Sequence, residues 1–443
     1  MRETLVKSEE FKDSPVEKIS KDWEVVSLKN EINILHGYAF EGEYFADEPP
    51  GDVLLVPGNF HRDGGLYFND NNTKYYRGLI PDGTVLEKGE LLIVMTDLSP
   101  RTLILGRVVL LELPFRVLHN QRIGKIVPKL PNTWDKRFLL LVMNSDTVRR
   151  NIISNATGTT VRHTSPDRIL ANVVLKPPVE EQSKIAEILD TIDLAIAHTS
   201  SLIAKLKQMK AGLLQDLLTR GLDENGELRD AIAHPEQFKD SPLGQIPKDW
   251  DTSILDKIIS IIDCKHYTPK YVSDGIPIVR PRNVKVDGLD FSDIDYVLEK
   301  EYKLLTDKHT PRQGDIVFSR NASFGIPCYV DATQRFAIGQ DVVIMTELSA
   351  NTRFVYYTLI SDSTEKQIQN VSAGSTFGRI NLACIRELVV PVPPREDQER
   401  IAQILDTYDT RIRTEETYRD KLKLQKQGLM HDLLTGKVRV KDA

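Results

Sequence analysis

Few residues in this sequence have the types and spacing that catalysis requires. Asp82 and the pair Glu87-Lys88 invite comparison with a nuclease motif, but they lie close together and no residue separates the acid from the lysine. Cys264 and His266 are too small a cluster for a metal site. The sequence has no Asn-Pro-Pro-Tyr or Asn-Pro-Pro-Phe motif, no glycine-rich cofactor loop and no GxxxxGKS or GxxxxGKT phosphate loop. We therefore predict a chain without catalytic residues, bound cofactor or metal.

The charges of the chain are unevenly distributed. The net charge is −6, yet residues 24–100 hold 13 Asp or Glu against 5 Lys or Arg, and residues 101–168 hold 12 Lys or Arg against 4 Asp or Glu. A locally basic surface can bind phosphate even on an acidic protein, because only the local field acts on the ligand. The alternative is a solvated face that the acidic segment beside it neutralises.

Composition and apolar runs predict a globular protein of the cytoplasm. The chain is 40% hydrophobic and 28% charged, it has no run of 18 apolar residues, and its first residues, MRETLVKSEE, contain no apolar signal core. Its three cysteines lack C-x-x-C spacing, which argues against a disulfide framework or a zinc ribbon.

Three segments of the sequence occur twice. FKDSPVEKISKDW begins at Phe11 and FKDSPLGQIPKDW begins at Phe238, with nine identities between them. KIAEILDTID, from Lys184, and GLLQDLLT, from Gly212, recur 216 residues later as RIAQILDTYD and GLMHDLLT. The chain is therefore a tandem duplication whose ends match in sequence and whose middles, about 24–175 and 251–390, do not.

The repeated segments at the end of each copy predict two long helices. Pro177 and Pro178 precede the first one, about forty residues without proline follow, and Gly221 ends it. At 1.5 Å per residue each helix is roughly 60 Å long. Apolar residues at heptad spacing predict that the two helices pair with each other, through Ile185, Ile188, Ile192, Leu206 and Met209 of the first and Ile401, Ile404, Tyr408 and Leu422 of the second.

The two middles have the sequence character of mixed α/β globules. Runs such as DVLLVP, GELLIVMT, GDIVFS and DVVIMTEL are rich in Val, Ile and Leu and bounded by Gly, Pro and Asp, which is typical of strands. The predicted fold class is α/β mixed, with two globular α/β domains joined by two long antiparallel helices in an internal pseudo-two-fold repeat. The predicted boundaries are 1–175 for the first domain, 176–221 for the first helix, 222–390 for the second domain with its lead segment 238–250, and 391–443 for the second helix and tail.

The order of these motifs closely resembles the specificity subunits of type I restriction-modification systems. The resemblance rests on PPxxEQxxIAxILDxxD at the start of the first helix, GLLQDLLTRG near its end, and FKDSP followed by IPKDW before the second globule. It covers essentially the whole chain. The two copies depart from each other modestly, since Ser20 stands where the second copy has Pro247, and Asp397 stands where the first has Glu181.

The resemblance implies a DNA-recognition subunit. Each of two target recognition domains would read one half of an asymmetric bipartite DNA sequence, and the helices would set the gap between the halves. It also implies assembly with two methyltransferase subunits and with restriction subunits. S-adenosylmethionine, ATP and Mg would be bound by those partners.

Candidate DNA contacts are residues whose types read base edges or hold phosphate groups. In the first domain they are Arg101, Arg122, Thr159, Thr160, Arg162 and His163, and in the second they are Arg280, Arg282, Asn283, Arg320, Asn321, Ser375, Thr376 and Arg379. The loops TGTTVRH and AGSTFGR occur at the same place in both copies, so we interpret them as backbone-positioning or structural loops and not as sequence readers.

Two alternatives stay open at this point. One is an interaction scaffold whose long helices form a coiled coil and whose globules do not bind DNA. The other is the specificity subunit of a related type IIB-like restriction-methylation enzyme. A scaffold would have no salt-dependent DNA affinity, whereas phosphate contacts make the logarithm of affinity fall linearly with the logarithm of salt concentration.

Overall fold

The chain divides into two compact units. The computed structural model describes residues 3–7, 11–13, 19–321, 325–331, 334–372 and 380–442. Unit 1 contains residues 1–198 and 418–443, and unit 2 contains residues 199–417. Within the described ranges, no helix combines the length and apolar character needed to cross a membrane.

The first half of the chain is rich in short strands and ends in a long helix. Its strands are β1 (Glu3–Lys7), β2 (Phe11–Lys12), β3 (Ile19–Ser20), β4 (Glu24–Ser27), β5 (Ile32–His36), β6 (Phe45–Ala46), β7 (Asp52–Leu55), β8 (Lys74–Tyr76), β9 (Val85–Leu86), β10 (Leu91–Val94), β11 (Thr96–Asp97), β12 (Val108–Leu110), β13 (Val117–His119), β14 (Ile123–Pro128), β15 (Arg162–His163) and β16 (Val173–Lys176). Its α-helices are α1 (Leu28–Glu31), α2 (Lys136–Met143), α3 (Asp146–Ser154), α4 (Pro166–Leu170) and α5 (Val179–Thr219).

The second half repeats this order. Its strands are β17 (Phe238–Ser241), β18 (Gly244–Pro247), β19 (Asp251–Ile254), β20 (Ile259–Asp263), β21 (Tyr271–Val272), β22 (Ile276–Val279), β23 (Val284–Lys285), β24 (Gly288–Leu289), β25 (Asp295–Val297), β26 (Ile316–Ser319), β27 (Pro327–Tyr329), β28 (Ala337–Ile338), β29 (Val342–Glu347), β30 (Val389–Val392) and β31 (Val438–Asp442). Its α-helices are α6 (Leu255–Ile258), α7 (Glu299–Leu305), α8 (Thr352–Leu359), α9 (Asp362–Ser372), α10 (Leu382–Arg386) and α11 (Arg395–Leu434).

The globule of unit 1 is built from two sheets. One is antiparallel with the strand order β12-β10-β14-β5, and the other has the order β6-β8-β7-β13-β9, in which β7 and β13 are parallel. The central strand β10 is apolar throughout because both of its faces are buried: Leu91 and Ile93 belong to one core, and Leu92 and Val94 belong to another.

The globule of unit 2 has a similar arrangement, although its sequence does not match and its second sheet has four strands instead of five within the described residues. One sheet has the order β27-β26-β29-β20, and the other has the order β21-β25-β22-β28 with β22 and β28 parallel. The equivalence extends to single residues. Gly106 and Gly325 have φ angles of +72° and +75°, and an added Cβ would approach Ile152 to 3.0 Å in one unit and Ile368 to 3.1 Å in the other. The two middles therefore share one fold.

The two long helices run antiparallel within unit 1. Asp193 of α5 accepts a hydrogen bond from Lys426 of α11 at 2.6 Å. Ile185 lies earlier in α5 and Leu433 lies later in α11, and both belong to the same core. Unit 1 therefore contains the first part of α5 packed against the last part of α11.

Unit 2 contains the complementary halves of the same helices. Lys210 of α5 donates a hydrogen bond to Asp409 of α11 at 2.5 Å, and Leu217 and Ile401 share the core of this unit. The sequence-based boundaries treat each helix as a segment of its own, whereas the compact units divide both helices, after His198 and after Thr417.

The residues predicted to pair the helices differ in burial. Ile185, Ile401 and Leu422 are buried, and Ile188, Ile192, Leu206, Ile404 and Tyr408 are half-buried. Met209 is 46% exposed and does not lie in the buried stripe, contrary to the prediction. A straight helix drifts by ~20° per heptad, so a residue three heptads after Ile188 has rotated out of the stripe by about 60°.

The repeated tryptophans explain why the lead segment and the helix end are duplicated together. Trp23 and Trp250 are both fully buried. Gly436, which follows α11, packs on Trp23, and Gly221, which follows α5, packs on Trp250, where an added Cβ would lie 3.3 Å and 2.6 Å from the indole ring. Both glycines have positive φ, the conformation that ends a helix.

The glutamine of the PPxxEQ motif joins each long helix to its globule. Gln182 accepts a hydrogen bond from the backbone N–H of Asp135 at 2.9 Å, and Gln398 accepts one from the backbone N–H of Asn351 at 2.8 Å. Each side-chain amide also donates to the carbonyl of the proline five residues earlier, at 2.9 Å in both units. The motif therefore anchors the first turn of the helix.

The first aspartate of each ILDxxD motif makes a second anchor. Asp190 accepts a hydrogen bond from Arg137 of α2 at 3.1 Å, and Asp406 accepts one from Arg353 of α8 at 2.5 Å. The second aspartate of each motif makes the lysine contact between the long helices described above. One motif therefore holds the helix to the globule and to the other helix.

A buried ion pair completes the core of unit 1. Arg439 of β31 donates two hydrogen bonds of 2.7 Å to Glu181, and the indole N–H of Trp23 donates to the same carboxylate at 3.0 Å. In unit 2 the shorter Asp397 replaces Glu181. Burial raises the pKa of Asp397, and the nearby indole N–H of Trp250 acts to lower it, although the geometry is not that of a full hydrogen bond.

We predict that Glu181→Gln lowers the free energy of unfolding of unit 1 by about 3 kcal/mol, because it removes the buried counter-charge of Arg439 and leaves only the exposed carboxylate of Asp22, 3.6 Å away, among the described residues. Denaturant unfolding measures this. Glu180→Gln is the matched control, since Glu180 is exposed in the same helical turn. Equal effects of the two substitutions would contradict the assignment.

Candidate nucleic-acid interface

The predicted contact residues of unit 1 lie at one edge of its antiparallel sheet. Met95 follows β10, donates its N–H to the carbonyl of Arg122 at 3.0 Å and accepts the N–H of Thr164 at 2.9 Å. Beside it, the pairing of β11 with β15 places Asp97 opposite Arg162. We call residues 95–107, 120–122 and 157–168, together with Arg149, edge 1.

Asp97 shapes the loop that carries Arg101. Its buried carboxylate accepts the backbone N–H groups of Ser99 and Ile104, each at 2.8 Å. The side chains of Arg101 and Arg122 are exposed beside this loop. Both are placed where they can reach a ligand at edge 1.

The loop TGTTVRH is held by its own arginine. Arg162 donates hydrogen bonds to the carbonyls of Gly158 at 3.1 Å and Ile153 at 3.2 Å, which fits a structural role. Thr159 and Thr160 are exposed on this loop. His163 is also exposed, and its Nδ1 lies 3.1 Å from the hydroxyl of Thr96. The equivalent candidates Ser375, Thr376 and Arg379 lie outside the described residues.

Arg320 of unit 2 is buried and paired. It is 5% exposed and donates a hydrogen bond to Asp263 at 2.8 Å. Its backbone N–H bonds the carbonyl of Asp341 at 2.8 Å, so it occupies the position that Met95 has in unit 1. Asn321 beside it donates to the Asp341 carboxylate at 3.1 Å. The prediction that Arg320 reads a base does not agree with this burial, because its guanidinium is inside the globule and bonded to Asp263.

Asn283 is also part of the scaffold and not a reader. It is 2% exposed, its amide donates to two backbone carbonyls at 2.9 and 3.0 Å, and its oxygen accepts the backbone N–H of Arg280 at 3.1 Å. Arg280 and Arg282 are part-exposed, and both contact the carboxylate of Asp295, at 3.0 and 3.1 Å. We call residues 280–283, 320–321, 325–326 and 339–341 edge 2.

Unit 1 has a counterpart of Asn283 that the sequence analysis missed. Asn59 is fully buried, accepts the backbone N–H of Val56 at 2.8 Å and donates to the carbonyl of Asn72 at 3.0 Å. The sequence pattern that could have identified this asparagine is Pro-x-Asn shortly after a strand, which occurs as PGN at 57–59 and as PRN at 281–283. Val56 therefore occupies the position that Arg280 has in unit 2.

The residues considered for catalysis are dispersed. Lys88 pairs with Glu112 at 3.1 Å, and His266 lies 3.4 Å from Asp263. Burial raises the pKa of the Cys328 thiol to about 12, which keeps it protonated and unreactive. In the part of the chain that the structure describes, no three His, Cys, Asp or Glu side chains converge as metal ligands.

The two edges differ in charge. Among the described residues, no arginine of edge 1 has an ion pair within 4 Å. These arginines are Arg101, Arg107, Arg122, Arg149, Arg162 and Arg168. In contrast, Arg280, Arg282 and Arg320 of edge 2 each contact an aspartate. The basic residues of segment 101–168 at edge 1 are therefore not neutralised by direct pairing with the acidic segment.

Comparison with known proteins gives consistent matches over nearly the whole chain. A family model described as the type I restriction modification DNA specificity domain matches residues 20–208 and 247–424. The chain is 23% identical over 445 residues to the type I restriction enzyme MjaVIII specificity subunit of Methanocaldococcus jannaschii, covering 98% of this chain and 97% of that protein. It is 24% identical over 404 residues to the type I restriction enzyme EcoBI specificity subunit of Escherichia coli, covering 87% and 79%.

Two solved structures share the fold. The S subunit of the type I restriction-modification system from M. genitalium superposes with a TM-score of 0.59 at 16% identity, covering 93% of this chain and 96% of that chain. A chain solved in work on complex assembly and conformational transition of the type I R-M system has a TM-score of 0.54 at 15% identity, covering 95% and 99%.

We predict that Asn59→Ala and Asn283→Ala each lower the free energy of unfolding by about 1–3 kcal/mol, because each leaves a buried backbone N–H and carbonyl without partners. Denaturant unfolding measures the effect. Asn71→Ala is the control, since Asn71 is exposed in the same loop as Asn72. A neutral result at Asn283 would return this residue to the set of candidate readers.

Proposed function

This chain belongs to the type I restriction-modification DNA specificity family, whose members are non-catalytic subunits, and we propose that it selects a bipartite DNA sequence for its partner subunits. In this proposal edge 1 reads one half of the sequence and edge 2 reads the other. The two halves differ because the side chains of the two edges differ.

One observation carries the proposal: at an equivalent position of the two edges the backbone hydrogen bond is the same and the side chains are not. Met95 and Arg320 make the same backbone hydrogen bonds, to Arg122 and to Asp341 respectively. Arg122 and Asp341 thus occupy one position: a guanidinium donates hydrogen bonds, whereas the half-buried carboxylate of Asp341 accepts them and already accepts one from Asn321. Arginine suits the acceptors of guanine, whereas a carboxylate accepts from the amino group of cytosine. A rigid scaffold with exchanged edge residues is what two different half-sites require.

The long helices are the proposed spacer. α5 has 41 residues and α11 has 40 residues, and each begins in one unit and ends in the other. We propose that the length of these two helices fixes the gap between the two halves of the DNA sequence. Lengthening both helices together would then lengthen the gap, and lengthening one would strain both units.

The partners follow from the family. We propose that two methyltransferase subunits and restriction subunits dock on this chain. S-adenosylmethionine, ATP and Mg would be bound by those partners. In this division the chain needs only hydrogen-bonding groups held in place to read a sequence, and the chemistry belongs to the partners.

The first test is to co-express the chain with its methyltransferase partner and to map methylated adenines in the host DNA. We expect one split motif. Replacing residues 24–175 with the equivalent domain of a relative should change one half of the motif only. A complex that forms but methylates no motif would refute DNA selection by this chain and favour the scaffold alternative.

A sharper prediction concerns the equivalent residues of the two edges. Arg122→Ala should relax one half of the motif and Asp341→Asn should relax the other, each by about 10-fold to 100-fold in discrimination, which is the range for one direct base contact. Methylation mapping with each variant measures this, and unfolding temperature confirms that each is folded. The proposal fails if either variant alters both halves, or if neither alters any base preference.

A further inference from the structure

Two arginines at edge 1 lie together, and neither forms an ion pair within the described part of the chain. Arg149 of α3 donates hydrogen bonds to the carbonyls of Leu103 at 3.1 Å and Leu105 at 3.3 Å, in the loop that leads to Arg107. Within the part of the chain described, the guanidinium of Arg107 makes no hydrogen bond and no ion pair. Both side chains are half-buried, so both charges are partly removed from water.

The electrostatics of this pair are unfavourable in the free protein. Burial lowers the pKa of Arg107. Burial, and then the charge of Arg107, lowers the pKa of Arg149 to about 10, so this group stays charged at neutral pH. Nearby carboxylates offset this only in part: Asp146 acts to raise the pKa of both arginines, Asp63 that of Arg107 and Asp97 that of Arg149. None of these carboxylates forms an ion pair with either guanidinium among the described residues, and Asp97 accepts three backbone N–H groups of its own loop. A bound anion in direct contact with both guanidinium groups would supply a close counter-charge.

The fold does not need this pair, because unit 2 is built without it. In unit 1 the last residue of the central strand β10 donates its N–H to the carbonyl of Arg107 at 3.0 Å. In unit 2 the last residue of the equivalent strand β26 donates its N–H to the carbonyl of Ile326 at 3.0 Å, so Ile326 stands where unit 1 has Arg107. The helices α3 and α9 both begin at the aspartate of a Ser-Asp pair, and in that alignment Arg149 corresponds to Glu365. An apolar residue and an acid therefore fill the same positions in the second globule.

We propose that Arg107 and Arg149 bind one phosphate group of the DNA backbone at edge 1, and that edge 2 has no equivalent contact. The inference rests on the proposed DNA-selecting function and adds a backbone contact to it. Guanidinium groups present paired donors that match the oxygens of a phosphate. Free inorganic phosphate has the same chemistry, and the test below separates the two sources.

The test measures how the affinity of the assembled complex for a duplex containing its target depends on salt. We compare the wild type with Arg107→Gln, Arg149→Gln and the double variant. Each phosphate contact contributes about 0.9 to the slope of log affinity against log salt, so the double variant should lose about one unit of slope and bind more weakly at low salt. The methylated motif should stay unchanged, because phosphate contacts carry no base preference.

Arg150→Gln is the charge-matched control, since Arg150 is exposed on the same helix and donates only to the carbonyl of Asp146. Arg107→Gln removes no hydrogen bond within the described structure, so it keeps the test valid if Arg149→Gln folds poorly. An unchanged slope in Arg107→Gln and in the double variant overturns the proposal, and so does an equal loss of slope in Arg150→Gln.

A second measurement identifies the source of the phosphate. The unfolding temperature of the chain is measured with and without inorganic phosphate, for the wild type and for Arg107→Gln. Inorganic phosphate could raise the unfolding temperature of the wild type but not of Arg107→Gln, while the slope of log DNA affinity against log salt is the same in both. That result would overturn the DNA contact and favour a site for free phosphate. A wild-type complex without any DNA affinity would refute the proposed function itself, whereas a methylated motif with an unchanged slope refutes only this contact.

Discussion

The structure depends on the docking of a long-helix end onto a buried tryptophan in each unit. Trp23 receives the end of α11 and Trp250 receives the end of α5, each through a glycine that lets the backbone approach the indole ring. Because every long helix starts on one globule and ends on the tryptophan of the other unit, the duplicated segments have to be retained together. Each tryptophan belongs to one repeated segment, and each glycine follows the end of another, GLLQDLLT or GLMHDLLT.

Sequence reasoning could find this framework because its signals are local. Prolines, glycines and repeated motifs mark the helices to within a few residues of Val179–Thr219 and Arg395–Leu434. The common fold of the globules could not be seen from sequence identity. A strand that is buried on both faces requires mainly apolar residues, and LLIV in β10 and IVFS in β26 both meet that requirement without sharing a pattern of letters. The contact residues were harder still. Arg320 has a suitable type but is buried, and Arg107 meets Arg149 only through the packing of α3 against the loop that precedes β12.

Comparison of the two globules distinguishes the residues that the fold requires from the residues that could select a ligand. Asn59 and Asn283 close the same loop, and Gly106 and Gly325 make the same turn, so these positions serve the scaffold. The positions that differ between units lie at the edges, where exchange of a side chain leaves the backbone hydrogen bonds unchanged. Under the proposed function, a chain of this family can recognise a different DNA sequence without changing its fold, since function resides in a site carried by the fold.

The most direct test of this account is photo-crosslinking from equivalent positions of the two edges. A photoreactive amino acid is placed at Arg122 in one complex and at Asp341 in another, and the crosslinked base is identified on a duplex that contains the mapped target. The account predicts crosslinks in opposite halves of the target, one for each position. Crosslinks from both positions in the same half, or none to DNA from either, would contradict it.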